Sequence, residues 1–209
     1  MKMKNLRNII FLLFFFAGTM SCNQNAVLEE NPKDFLSPGN SFVDKSGFDS
    51  ALADIYRKIR QYFYSTTDSY TNFDMLGIDA DLAAESWSPE FVSYFNWNTL
   101  NADSDFADNW WARFYALIFR TNVIIDRAEG KDVKWKSDAE KNAIVGEAKF
   151  LRAWCYHFLA NMWGGVPLVI NETTAAKFDY TRATQEDVYK QCKEDLDFAT
   201  KWMIAKCRL

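Results

Sequence analysis

The chain has 209 residues, of which 49% are hydrophobic and 17% aromatic, and its formal net charge is −4. This length is sufficient for one sizeable hydrophobic core. The negative charge and the lack of a basic run argue against a nucleic-acid partner, because phosphate binding depends on clustered Lys and Arg.

The first 21 residues have the layout of an export signal. A basic start precedes an apolar run over residues 9–17, and Cys22 follows shortly after it. The run is too short to cross a bilayer, which requires about 20 residues in a helix. Residues 19–22, Thr-Met-Ser-Cys, are similar to a lipobox. We therefore expect residues 1–21 to be a lipoprotein signal peptide and Cys22 to carry fatty-acyl chains such as palmitate. The alternative is an ordinary signal peptide with a coincidental Cys.

Residues 22–40 predict a flexible tether. They contain Pro32, Pro38 and Gly39 and little periodic apolar content. Removal of residues 1–21 takes away three positive charges, so the net charge changes from −4 to −7.

Four amphipathic helices are predicted after the tether, and the predicted fold class is all-α. Strict strand-like alternation is absent, and residues 166–170 are the only extended candidate. The first is capped by Ser46, and its apolar face carries Phe48, Leu52, Ile55, Ile59 and Tyr62. The second starts near Asp108, and the third runs from the capping box Ser137–Glu140 to Trp163. The fourth starts at Thr184, and its apolar face carries Val188, Cys192, Leu196, Ala199 and Met203.

The third predicted helix has a continuous apolar face. Arg152 lies off this face, so we expect it to find a carboxylate or carbonyl partner at a helix junction. Gly164 and Gly165 predict a left-handed helix end, and Pro167 forces an extended exit. Six residues spaced three and four apart form the face: Ile144, Ala148, Leu151, Cys155, Phe158 and Met162.

No constellation in the sequence predicts catalysis, a metal or a cofactor. His157, the single histidine, has no nucleophile, orienting acid or further metal ligands at recognisable spacing. The three cysteines after Cys22 are widely spaced, which is not typical of a disulfide framework or a zinc site. Asn101, Asp103 and Asp105 imitate the start of a calcium loop but lack its Gly and final Glu. The acidic residues 79, 81 and 85 could form a solvated face, cap a helix or bind a cation, and loop carboxylates are common without a metal.

Several segments together resemble the SusD/RagB family of surface-exposed nutrient-binding lipoproteins of diderm bacteria. The run Glu147-Ala148-Lys149-Phe150-Leu151-Arg152-Ala153 followed by Gly164-Gly165-Val166-Pro167-Leu168-Val169 is similar to the family signature. Three further segments are similar to segments of the family and occur in the same order. They are residues 42–56, the helix with Trp111, Tyr115, Ile118 and residues 122–125, and Arg182-Ala183-Thr184 before Val188-Tyr189.

The resemblance implies helical hairpins similar to tetratricopeptide repeats over residues 41–209, as in a SusD-like N-terminal domain. It implies binding of an oligosaccharide or other nutrient at the outer-membrane surface, for uptake through a SusC-like TonB-dependent β-barrel transporter. Because family members are longer, we expect residues 41–209 to be a truncated domain. The alternatives are a helical-repeat scaffold that binds only a protein partner, or a non-functional truncated fragment.

The residues expected to bind ligand lie between the first two helices. Sugar binding needs flat aromatic faces and amide groups for hydroxyls, and this segment offers Trp87, Tyr94, Trp97, Asn98 and Asn101. The alternative is that Trp87 and Trp97 pack against neighbouring helices. Trp110, Trp111, Trp154 and Trp163 are expected in the core.

Overall fold

A computed structural model describes residues 41–64 and 105–203. These ranges contain the helices α1 (Lys45–Tyr64), α2 (Asp105–Arg127), α3 (Asp138–Trp163) and α4 (Gln185–Met203). No β-strand occurs within them, and the only ladder-like contact is an isolated parallel bridge between Asp44 and Lys134. The predicted all-α class is confirmed. None of the helices in these ranges combines the length and apolarity that a membrane span requires.

The predicted helix starts are confirmed where a hydroxyl caps the helix. Ser137 Oγ accepts a hydrogen bond from the backbone N–H of Glu140 at 3.2 Å, and Thr184 Oγ1 accepts one from the N–H of Asp187 at 3.1 Å. Such side chains satisfy N–H groups that have no partner within the helix. The sequence assignment of Ser46 as a cap was wrong, and α2 begins slightly before its predicted start near Asp108. The Asp44 carboxylate caps α1 by accepting from the N–H of Ser46 at 2.9 Å, and α2 begins at Asp105.

Helix α3 is the centre of the fold. It packs against α1, α2 and α4, and its contact with α4 is the most extensive. The predicted apolar face is confirmed at Ile144, Ala148, Leu151 and Cys155, which are buried, and Phe158 is partly buried. Met162 is 40% exposed, so the face ends one turn earlier than predicted.

Aromatic rings fill the space between α1, α2 and α3. Phe114 on α2 stacks on Phe158 of α3 with a centroid distance of 5.4 Å. The ring centroid of Phe63 on α1 is 4.9 Å from that of Trp110 and 5.3 Å from that of Trp154. Offset and edge-to-face pairs of this kind add stability beyond the area that they bury. The high aromatic content of the chain therefore serves the core in this region.

In one turn of helix α4, the buried residue is not the predicted one. Leu196, assigned to its apolar face, is 39% exposed, whereas the neighbouring Asp195 is completely buried. A buried carboxylate requires a partner, and that partner lies on α3.

Two glycines end α3 for different reasons. Gly164 has φ of +70°, as predicted, and its N–H donates to the Ala160 carbonyl at 3.0 Å. Gly165 has no positive φ; a Cβ added there would lie 2.3 Å from the Ala183 carbonyl oxygen. The second glycine is needed for close approach rather than for a left-handed conformation.

We predict that Leu151→Asp abolishes folding or lowers the free energy of unfolding by about 4 kcal/mol or more, because it places an unpaired charge in the core. Leu151 is 3% exposed. The matched control is His157→Asp, which adds the same carboxylate to the exposed side of the same helix. Thermal and urea unfolding of both variants test this, and equal losses would contradict the assignment of Leu151 to the core.

Candidate functional site

After α3 the chain continues as an exit segment, residues 164–171, which follows the helices without pairing to a strand. Side chains of α2 and α3 bind its backbone. The Tyr115 hydroxyl donates to the Pro167 carbonyl at 2.7 Å, and the Tyr156 hydroxyl accepts from the Val169 N–H at 2.7 Å. Asn122 Nδ2 donates to the Val169 carbonyl at 2.8 Å. Partly buried backbone groups of this segment are thus satisfied by side chains instead of a sheet.

A buried charge cluster joins this segment to three helices. The Arg152 guanidinium donates from Nε and Nη2 to the two oxygens of Asp195, at 2.7 and 2.8 Å. Its Nη1 donates to Asn122 Oδ1 and to the Ile170 carbonyl, both at 2.8 Å. The Lys149 ammonium approaches Asp195 at 3.3 Å. The prediction that Arg152 finds a carboxylate or carbonyl partner at a helix junction is confirmed for both kinds of partner.

The role of this cluster is to stabilise the fold. Arg152 and Asp195 are 3% and 0% exposed, so a ligand cannot reach either group directly. Bidentate Arg–carboxylate pairs have well-defined geometry. The cluster therefore fixes the exit segment, which forms one wall of an adjacent cavity.

The cavity lies beside α2 and has a volume of about 410 Å³, within the range of small-molecule sites. Its walls come from one face of α2, from the exit segment and from the loop that follows it. Two of its rings are accessible to solvent, because Phe119 is 46% and Tyr180 42% exposed. The lining residues are Trp111, Tyr115, Ile118, Phe119, Pro167, Val169, Thr173 and Tyr180.

Two cations lie over rings of this cavity. The Arg182 guanidinium carbon is 5.9 Å from the centroid of Trp111, and the Lys177 ammonium is 5.3 Å from that of Tyr180. Burial raises the pKa of the Tyr115 hydroxyl, and nearby Tyr156 raises it further, whereas the charge of Arg182 opposes the shift. Tyr115 therefore remains a neutral donor.

The five predicted ligand contacts, Trp87, Tyr94, Trp97, Asn98 and Asn101, lie outside the described residues, as does Cys22. Of the four tryptophans assigned to the core, Trp110 is fully buried. Trp111, Trp154 and Trp163 are partly buried and pack against the hydrophobic core. Trp111 also lines the cavity, a role that the sequence did not reveal. Spacing alone could have paired Trp111 with Tyr115 and Phe119 on one helix face, but not with Tyr180.

His157 is exposed, with its ring 3.2 Å from Asn161 Nδ2. Residues 41–64 and 105–203 contain no group of three or more His, Cys, Asp or Glu arranged to hold a metal ion.

A family model described as "Starch-binding associating with outer membrane" matches residues 34–207, most of the chain. The chain belongs to the SusD-like family. Its description associates the family with glycan binding and with the outer membrane, and the resemblance noted in the sequence is confirmed.

Individual relatives agree with this assignment. SusD-like protein P25 of Formosa agariphila is 26% identical over an alignment of 232 residues, which covers 96% of this chain and 41% of that protein. A crystal structure of a SusD superfamily protein from Bacteroides vulgatus is 24% identical, with a TM-score of 0.63 over 76% of this chain and 34% of that one. A laminarin-binding SusD-like protein is 25% identical, with a TM-score of 0.61 and the same coverage. The chain therefore spans less than half the length of these relatives.

We predict that Asp195→Asn lowers the free energy of unfolding by about 3–5 kcal/mol, because it leaves the buried Arg152 without its counter-charge. The matched control is Asp197→Asn on the same helix. Asp197 pairs with Lys193 at 2.6 Å, but both side chains are mostly exposed, so no measurable loss is expected. Urea unfolding of both variants provides the measurement. Similar stabilities would show that the buried pair does not stabilise the fold.

Proposed function

We propose that this protein binds oligosaccharide at the cell surface and passes it to a TonB-dependent, SusC-like β-barrel transporter in the outer membrane. The observation that carries the proposal is the family match over residues 34–207. The similarity to a laminarin-binding SusD-like protein supports a glycan as the ligand. The protein's role is to capture and hold the ligand, and catalysis is not part of it.

The proposed ligand contacts are Trp87, Tyr94, Trp97, Asn98 and Asn101. Aromatic faces stack on the C–H faces of sugar rings, and amides bind the hydroxyl groups. These residues lie in the chain between α1 and α2, two helices that pack against each other.

The proposed location follows from the first 40 residues. The apolar run that ends before Cys22 supports export and lipidation, and residues 22–40 supply a tether between the acyl chains and the helical domain over residues 41–209. A lipid-anchored chain is concentrated at the membrane that contains the transporter. The ligand then has only a short distance to travel from this protein to the transporter.

We predict that the purified full-length chain binds at least one member of a panel of neutral and acidic oligosaccharides in isothermal titration calorimetry. Trp87→Ala or Trp97→Ala should weaken that binding about tenfold, because a stacking platform is lost. Trp202→Ala, at the far end of α4, is the matched control and should bind normally. A folded protein that binds nothing on the panel would contradict the proposal.

We predict that cells fed a labelled fatty-acid analogue incorporate it into this protein through Cys22, and that the protein fractionates with the outer membrane. Cys22→Ala should lose the label, whereas Cys207→Ala should retain it. Equal labelling of the two variants would rule out Cys22 as the acylated residue.

A further inference from the structure

We infer that the cavity beside α2 binds an acidic sugar residue, whose carboxylate or sulfate group contacts Arg182 and whose ring lies against Phe119 and Tyr180. This inference rests on the proposed function, which supplies the glycan. It adds a second site, separate from the five contacts proposed above, and a chemical class of ligand.

The shape of the cavity suits one sugar ring. A volume of about 410 Å³ accommodates a pyranose with part of its neighbour. Phe119 on α2 and Tyr180 on the loop after the exit segment are both more than two-fifths exposed. Solvent-accessible rings are available for stacking on a sugar.

Arg182 and Lys177 supply positive charge beside the cavity. Each lies over a ring of the cavity, and neither forms an ion pair with any residue in the described ranges. Two acidic residues belong to the same loop. Glu172 is already paired with Arg127 at 2.7 Å, and Asp179 makes no ion pair with Arg182 or Lys177. A guanidinium with free donors binds carboxylate or sulfate with good geometry.

The lining favours an acidic sugar over a neutral one. A neutral sugar is bound mainly through hydrogen bonds to its several hydroxyls, and the cavity wall offers few polar groups besides the Thr173 hydroxyl. One charged contact can replace about two neutral ones, because hydrogen bonds to an ionised group are about twice as strong. The net charge of the whole chain is negative, so the attraction must come from this local pair of cations.

The test is calorimetric titration of the full chain with trigalacturonate and with its fully methyl-esterified form, which has the same rings without the charges. Trigalacturonate should bind, and esterification should weaken binding about tenfold or more. A sulfated galactose oligosaccharide distinguishes sulfate from carboxylate as the preferred group. Added salt should weaken binding of the acidic ligand, because the cations are close to solvent.

Two variants and two controls locate the site. Arg182→Gln should weaken trigalacturonate binding about tenfold without affecting a neutral ligand, and Phe119→Ala should weaken binding of the acidic ligand to a similar extent. Arg60→Gln removes the same charge from the exposed side of α1, and Phe150→Ala removes an exposed ring from α3. Both controls should bind normally, and circular dichroism checks that all four variants are folded.

The possible outcomes separate this inference from the proposed function. If neutral glycans bind and the acidic ones do not, the proposed function stands and the acidic-sugar site is wrong. The same holds if acidic glycans bind equally well to Arg182→Gln. If the protein binds a simple apolar anion such as laurate and binds no oligosaccharide, both the sugar assignment and the proposed function are wrong.

Discussion

The fold depends on one buried guanidinium. Arg152 uses three nitrogens to contact α4 through Asp195, α2 through Asn122, and the exit segment through Ile170. Removing two charges from water is costly, and the attraction between them offsets that cost only when the geometry is good and the remaining donors are satisfied. Here the geometry is bidentate and the third nitrogen has two acceptors. The arrangement specifies which elements meet, in a way that interchangeable apolar contacts cannot.

The exit segment shows what this specification achieves. An extended chain with no strand partner would leave its carbonyls unsatisfied when packed against helices. Tyr115, Asn122, Arg152 and Tyr156 satisfy them from two different helices. Burial raises the pKa of Tyr156, so its hydroxyl remains protonated and can keep donating to Val169. One wall of the cavity is therefore held by side chains whose own positions are fixed by the core.

The sequence predicted the fold well wherever the determining interaction is local. The cap of α3 and the start of α4 were predicted correctly, because in each the hydroxyl and the N–H that it accepts from are three residues apart. Leu196 was assigned wrongly because an apolar residue at the right spacing is normally buried. Asp195 takes the buried position only because Arg152 stands opposite it, 43 residues earlier in the chain. The cavity was missed for the same reason, since Phe119 and Tyr180 line it together although they are far apart in the chain. The predicted contacts from Trp87 to Asn101 lie outside the described residues, so their role remains a proposal.

Gly165 permits a close backbone contact that affects the position of α4. Its missing side chain lets the backbone at Ala183 approach closely, and the Ala183 N–H donates to the Val166 carbonyl at 3.0 Å just before α4 begins. That contact sets the distance at which α4 starts alongside α3. A methyl group at residue 165 would clash with the Ala183 carbonyl and force the chain before α4 away from α3. Since the energy of an ion pair falls with separation and with the entry of water, the Arg152–Asp195 pair would weaken if that shift were transmitted along α4.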